Sequence, residues 1–546
     1  MISRRKGLSL TLLLASTPMI LSGCSFDSGV SVSAGITQMN VLNDSLNAAS
    51  SSCAAYEIFV GSYRDSNGDG IGDINGITES LDHISGMGFD MIWLTPVFTS
   101  PTYHKYDVED YYTIDPSFGD LSDLEELINE CHERGISVIT DFVMNHTSVE
   151  HEWFIEASDA VRGCLTEEDL GEAASQCEYV DYYNFSMSGG SGYVKLPDSE
   201  VYYEAEFWEG MPDLNLSSEA VRNELLDAAS YWLSEGVDGF RLDAVTYFYS
   251  GSDQGNIDYL TGFVDRVRSV APSSYIVCEA WTDPITYIPY YQSGVDGMFN
   301  FSFSGKDGVI GRVAGGLSPA SSYGSSVADY QERLEELAGV PLSSDASFYT
   351  NHDMGRSAGY FAGDEASYRV RLAGALNLLM SGRTFVYYGE EIGMKGSGSD
   401  ENFRAPMYWS DDPSFNGLCQ PPPGMAQFEM KYPSLEDQID DPLSVYNYYR
   451  QAVLLRSYFP VISRGEVTFY PELSDDNICV IEKTDGEGDT PVLIAINTSS
   501  YEQTVDLSAL PYDQLAAVLA VSYDEATLSG GTLTLPPFFI AVLTGS

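Results

Sequence analysis

Three carboxylates stand at the ends of three short apolar runs. Asp243 lies in Gly239-Phe-Arg-Leu-Asp-Ala-Val245, Glu279 in Cys278-Glu-Ala-Trp281, and Asp353 closes Thr350-Asn-His-Asp353. A further run, Asp141-Phe-Val-Met-Asn-His146, adds an acid and a His. Buried charge without a partner is costly, so acids where strands leave a core imply a use. Arg241 and Asp243 are two residues apart and share one face of a strand. A guanidinium beside a carboxylate favours its ionised form, which a nucleophile needs. Glu279 follows the apolar Tyr275-Ile-Val-Cys278 and precedes Trp281. Such surroundings keep a carboxyl protonated and suit a general acid. An oppositely tuned pair on neighbouring strands has the chemistry to cleave a glycosidic bond. Adjacent strands place the two about 5 Å apart, the spacing of retention.

The elements that must position these groups alternate. Runs rich in β-branched and aromatic residues fall near 57–63, 91–97, 137–143, 239–245, 275–280, 297–303, 346–351 and 384–388. Amphipathic helix patterns separate most of them. In 121–135, Ser122 and Glu125 have capping-box spacing, Leu124, Ile128 and Cys131 share a face, and Gly135 ends the run. Segments 218–235 and 366–381 read the same way. Eight strands alternating with helices predict the α/β class and a (β/α)8 TIM barrel over 56–457. Residues 147–213 are too long for a loop and form an inserted subdomain B after strand 3. After Tyr458 the helix signals fade, and 458–546 reads as a β-sandwich.

The 546 residues exceed one ordinary core. Twenty-six basic against 81 acidic residues give a net charge of −55, which repels nucleic acid and anionic lipid but not a neutral sugar. Residues 1–24 read as a leader. Arg4, Arg5 and Lys6 precede an apolar stretch over 8–21 too short for a permanent span, and Leu21-Ser-Gly-Cys24 resembles the bacterial lipobox. The implied product is an exported lipoprotein, at the cell surface or in the periplasm, tied to the membrane only by lipid on Cys24. Residues 25–55 read as a flexible tether. Among the other seven Cys, Cys164 and Cys177 are the best candidates for a disulfide, whereas Cys131 and Cys278 read as buried thiols. No spacing suggests zinc.

Taken in order, the four segments resemble those of the α-amylase family, glycoside hydrolase family 13. The resemblance implies Asp243 as nucleophile, Glu279 as acid/base and Asp353 as transition-state stabiliser. It implies that His146, Arg241 and His352 contact the sugar in the cleaved subsite, and that Asp141 is structural. From Tyr103-His-Lys-Tyr106 it implies stacking by Tyr106 and a hydroxyl contact by His104. Met211-Pro-Asp-Leu-Asn215 looks intermediate between the signatures of amylases and oligo-1,6-glucosidases. Asp107 and Arg404 resemble a pair that seats a terminal glucose in exo-acting relatives; an ordinary ion pair is the other reading. The loop Asp65-Ser-Asn-Gly-Asp-Gly-Ile-Gly-Asp73 has alternating oxygen ligands and Gly70 for a sharp turn, which suits Ca2+. Gly76 occupies the place of an EF-hand's closing Glu, which argues against an EF-hand. The expected ligands are Asp65, Asn67, Asp69, Asp73 and the Ile71 carbonyl. Asn145 matches a ligand of a second calcium site, but Thr246 and Tyr247 depart from the amylase pattern around it. The expected activity is retaining hydrolysis of α-1,4 bonds in starch or maltooligosaccharides by a monomer. The alternatives are an exo-acting α-glucosidase or oligo-1,6-glucosidase, and a surface glucan-binding lipoprotein without catalysis.

Overall fold

The computed structural model describes residues 30–33 and 51–545 other than Glu487. Eight parallel strands form the central sheet: β1 (Ala54–Ile58), β2 (Met91–Leu94), β3 (Ser137–Phe142), β4 (Gly239–Leu242), β5 (Tyr275–Cys278), β6 (Gly297–Met298), β7 (Ala346–Phe348) and β8 (Arg383–Tyr387). Their order is β6-β5-β4-β3-β2-β1-β8-β7. A parallel bridge from Phe299, just past β6, to Ala346 on β7 closes the circle. The barrel expected from the alternating pattern is the fold observed.

Alternation along each strand sends every second side chain inward. Ala55, Met91, Ile139, Val277 and Phe385 meet as one apolar cluster inside the barrel. One step further toward the C-terminal ends, Glu57, Asp141 and Arg241 point into the same interior, each fully buried. An apolar plug therefore supports a charged layer, and that layer lies beneath the strand ends where active sites of this fold form.

Local differences from expectation have physical causes. The first strand ends at Ile58, because Val60–Ser62 wind into a single 3-10 turn. The sixth strand has only two residues. In the helix Leu121–Glu133, Leu124, Ile128 and Cys131 are buried, but the cap is Asp120. Its carboxylate accepts the Ser122 and Asp123 N–H groups, and the Asp123 carboxylate returns a bond to the Asp120 N–H at 2.9 Å. The Ser122 hydroxyl is itself turned onto Asp120, so it does not cap.

After β3 come two helices, Glu152–Val161 and Glu167–Gln176, and a three-stranded antiparallel sheet of Phe185–Ser186, Tyr193–Lys195 and Tyr202–Glu204. Cys164 and Cys177 are both free thiols here, so the disulfide does not form. Beyond the barrel, a five-stranded antiparallel sheet begins with Glu466–Phe469 and Ile478–Thr484. The helix Ser321–Ala338 packs on it through Gly324, where a Cβ would meet Phe469 at 2.5 Å. A second sheet of four strands includes Val30–Ser33, paired antiparallel with Glu525–Ser529. Part of the stretch expected to be a flexible tether is thus a strand. The leader 1–24, with Cys24, lies outside the described residues. Among the described residues no helix is long and apolar enough to cross a membrane.

Gly239 opens β4 with φ +155°, and a Cβ there would lie 1.9 Å from the Tyr275 carbonyl oxygen on β5. Gly239→Ala must push the two strands apart. The expected loss, by analogy with overpacked cores, is about 1–3 kcal/mol, read as a lower denaturant midpoint. An unchanged midpoint would show that this contact does not constrain the β4–β5 pair.

Candidate active site

The site is assembled where β1, β3, β4, β5 and β7 end. Leu242 and Cys278 are register partners on β4 and β5, and Asp243 and Glu279 each come next in their chains. The ladder continues past the strands: the Glu279 N–H donates to the Leu242 carbonyl at 2.9 Å, and the Val245 N–H to the Glu279 carbonyl at 3.0 Å. The two acids are therefore held side by side at about one strand spacing, ~4.8 Å.

Arg241 binds both. Its Nη1 donates to Asp243 Oδ1 at 2.5 Å and to Asp141 Oδ1 at 2.6 Å, and its Nη2 lies 3.1 Å from Glu279 Oε2. Trp93 on β2 supports this from below. Its ring lies 5.3 Å from the guanidinium, and its Nε1 donates to Asp141 Oδ2 at 2.9 Å. Burial raises Glu279, Arg241 opposes that, and the charges of Asp243 and Asp353 add to the rise, leaving it at about 7. Glu279 is thus a carboxyl able to carry a proton near neutrality.

Asp353 is framed by cations. Arg404 Nη2 lies 2.8 Å from its Oδ1, and His352 Nε2 3.1 Å from its Oδ2. Burial would raise its pKa, but His352, Arg404 and Arg241 overcome this and hold it well below the usual carboxylate range. His352 also binds Glu57 Oε1 through Nδ1 at 2.7 Å. Burial disfavours its cation, yet Asp353 and Glu57 raise it to about 10. A cationic His352 donates through Nε2, and the Tyr106 hydroxyl, 2.6 Å away, accepts while donating to Asp141 at 3.1 Å. The Tyr106 and His352 rings are stacked at 5.4 Å and 9°. His104 is neutral at ordinary pH, because burial, with Arg404 and His146 nearby, lowers it to about 4. Its Nδ1 accepts the Tyr106 N–H, which leaves the proton on Nε2.

Above these groups opens a cavity of about 490 Å3, within the range of about 300–1,000 Å3 usual for small-molecule sites. Asp243, Glu279, Asp353, Tyr106, His104, His146 and Arg404 line it, while Arg241 and His352 lie fully buried behind. His146 Nε2 is buried and has no hydrogen-bond partner. Asp107 is not part of the site. Its carboxylate accepts from Ser100 Oγ at 2.8 Å and from Thr102 Oγ1. The expected Asp107–Arg404 pair does not form, because Tyr106 turns into the cavity and Asp107, one residue on, turns away. Arg404 instead donates to the Tyr103 hydroxyl at 2.8 Å.

Several lining groups escaped the motifs. Phe207, Trp208 and Tyr247 are 46%, 49% and 40% exposed, and Trp281, which closes the Glu279 segment, is 57% exposed. Trp281 stacks on Phe301 at 4.9 Å, and Phe207 meets Tyr247 edge-on at 4.9 Å. Glu57 was also missed, although an acid inside Ala54-Ala-Tyr-Glu-Ile58 was a visible signal. Asp213 of Met211-Pro-Asp-Leu-Asn215 accepts from Asn145 Nδ2 at 3.1 Å and docks the inserted segment beside His146.

In the loop 65–73 the oxygens are of the hard type that suits Ca2+. They already serve the backbone: Asp65 accepts from the N–H groups of Asn67, Gly68 and Gly70, Asn67 from Asp69, Asp69 from Ile71, and Asp73 from Ser66 and Gly76. Among the described residues no three His, Cys, Asp or Glu side chains converge as a metal site.

A barrel with two acids side by side at its C-terminal rim, and a third opposite, defines a glycosidase. The catalytic-domain pattern of the α-amylase family matches residues 57–465, and the chain belongs to that family. It carries a catalytic domain acting on α-glucosidic bonds. "Alpha-amylase 3" of Dictyoglomus thermophilum is 34% identical over 454 residues, covering 78% of this chain and 83% of that one. "Probable oligo-1,6-glucosidase 3" of Bacillus subtilis is 29% identical, covering 88% and 97%. The solved structure of Eubacterium rectale Amy13B is 45% identical, with a TM-score of 0.86 over 90% of this chain and 95% of that chain.

Proposed function

We propose that the chain is an exo-acting α-glucosidase that releases glucose, with retained configuration, from the non-reducing end of short maltooligosaccharides. The make-up of the cavity lining carries this reading. Arg404 holds Asp353 at 2.8 Å, and His104 lines the same cavity. Phe207, Trp208, Tyr247 and Trp281 give that lining partly exposed aromatic faces. Tyr247 follows the nucleophile by four residues and Trp281 follows the acid by two, and in this reading these aromatics take the departing sugars. One glucosyl unit sits by the wall, and the rest of the chain stacks on aromatic faces.

In this reading Asp243 attacks the anomeric carbon while Glu279 gives its proton to the leaving oxygen. Glu279 then takes a proton from water, which releases the glucosyl group from Asp243. Asp353, kept ionised by His352 and Arg404, stabilises the positive charge that develops on the ring. His146 and His104 line the cavity and serve in this reading as partners for sugar hydroxyls. Substrate access does not need a strong field, which agrees with a neutral ligand.

Endo-acting α-1,4 hydrolysis is the second reading. The amylase-named relative and the missing Asp107–Arg404 pair favour it. Two maltoheptaoses separate the readings, one free and one blocked at its non-reducing end. The exo reading expects α-glucose as the first product of the free chain and no cleavage of the blocked one. Cleavage of the blocked chain would establish endo action, and initial β-anomers would remove the retaining mechanism.

Glu279 must carry its proton to act as the acid. With a raised value of about 7, the acid form is full well below pH 7 and is lost as pH rises through it. The expected kcat/KM falls on an alkaline limb centred near pH 7, and Glu279→Gln loses that limb together with most of the activity. A limb that persists in the variant would transfer it to another group.

We also propose Ca2+ in the loop 65–73: Asp65, Asn67, Asp69, Asp73 and the Ile71 carbonyl would hold it once the side chains turn from the backbone N–H groups they now accept, and it would brace the loop. Addition of Ca2+ to chelator-treated protein is expected to raise the thermal midpoint. No change would leave the loop to its backbone hydrogen bonds alone.

A further inference from the structure

Arg404 reaches the site from an irregular stretch of chain. Between the turn Glu390–Ile392 and the helix Leu435–Gln438, the regular structure is one four-residue helix, Asp400–Phe403, and Arg404 follows it directly. No barrel strand fixes its backbone, yet its side chain meets closely placed partners. Its Nε donates to the His352 carbonyl at 3.1 Å, and its Nη2 to Asp353 Oδ1 at 2.8 Å. A long loop that carries a site residue needs anchors along its length, because its ends alone leave it many conformations.

The anchors converge on the two carbonyls that flank Arg404. The Ala405 carbonyl accepts from the Tyr388 hydroxyl at 2.5 Å. The Phe403 carbonyl accepts twice, from Arg356 Nε at 2.7 Å and from the Tyr387 hydroxyl at 3.2 Å. Tyr387 ends β8 and Tyr388 follows it, whereas Arg356 comes three residues after Asp353. Arg356 also reaches further. Its Nη1 donates to the Tyr388 carbonyl at 2.5 Å, and its main-chain N–H to the Gly396 carbonyl at 2.9 Å. Gly396 in turn packs on Asn402, where a Cβ would lie 1.9 Å from the carbonyl oxygen. One residue therefore joins the segment of Asp353, the exit of β8 and both ends of the stretch 396–403.

Arg356 is buried, and its guanidinium lies 4.3 Å from the Tyr387 ring and 4.6 Å from the Tyr388 ring. Among the described residues its side chain donates to main-chain carbonyls alone. A rigid guanidinium fork can serve carbonyls of two segments at once, which an apolar side chain of similar length cannot. A buried cation costs desolvation, so packing alone would be served better by an apolar residue.

We propose that Arg356 is a positioning residue for the reaction: it ties the Phe403 carbonyl to the end of β8 and thereby sets Arg404 against Asp353. Arg356 is not among the residues lining the catalytic cavity, and it acts through Arg404. This rests on the use of Asp353 to stabilise charge on the sugar ring, and it holds for exo and endo action alike.

The test asks whether the two arginines act as one unit. Wild-type enzyme, Arg356→Met, Arg404→Met and the double variant are assayed for new reducing ends from maltoheptaose. Arg356→Met is expected to lower kcat/KM roughly 100-fold, the cost of misplacing a site group by about 1 Å. In the Arg404→Met background the same substitution is expected to cost less than about threefold, because the group it serves is gone. A loss of folded enzyme multiplies both backgrounds alike, so an equal factor in the two overturns the proposal. Wild-type activity in Arg356→Met overturns it too, and so does wild-type activity in Arg404→Met, which leaves Arg356 nothing to act through. Should Arg356→Met fail to fold, Tyr387→Phe takes its place in the cycle, since it removes the second donor to the Phe403 carbonyl and keeps the ring. A severalfold loss only in the enzyme that retains Arg404 is then expected, and an equal loss in both backgrounds, or none, overturns the proposal. Failure of the exo-acting reading is separate: it shows as cleavage of the end-blocked chain, whereas this cycle counts cuts wherever they fall.

Discussion

One buried guanidinium organises this molecule's chemistry. Arg241 has no contact with solvent, and it holds Asp141, Asp243 and Glu279 at hydrogen-bond distance. Three acids sharing a small volume repel one another, and the site exists because a cation lies among them. Removing one partner from a buried pair is costly, since the other charge is left in a low dielectric. Glycine at 239 lets β4 lie close to β5, and the register of those strands puts two acids on adjacent rungs. Geometry of the backbone and balance of charge are thus one constraint.

The second cationic group works on the opposite wall. Glu57, His352, Tyr106 and Asp353 form a chain of short polar contacts from the barrel interior to the cavity surface. The two walls are tuned in opposite senses. Glu279 is pushed toward its neutral form, and Asp353 is held in its charged form. Such a difference between like groups in one pocket is how a single site supplies both a proton and a negative charge.

Much of this was legible from residue types and spacing, and the limits have physical reasons. Barrel strands show as short β-branched runs, because strands buried on both faces are nearly all apolar. Hence an acid such as Asp243 or Glu279 stands out at the end of each. Glu57 carries the same signal without a neighbouring motif to give it a role. Asp107 failed for a different reason: its neighbour Tyr106 faces the cavity, and direction along an irregular loop has no fixed period. The aromatic rim of Phe207, Trp208 and Tyr247 comes from two loops far apart in the chain, a proximity that only the folded structure supplies. The capping of Leu121–Glu133 slipped by two residues, because Asp120 outcompetes Ser122 as an acceptor.

The pairing of Val30–Ser33 with Glu525–Ser529 has a mechanical side. A pull applied upstream of Val30 reaches the C-terminal sheet first, through four antiparallel residue pairs. The barrel strand that begins at Ala54 is loaded only after that pair has parted. Under such a load the small sheet would part before the rungs that hold Asp243 and Glu279 in line.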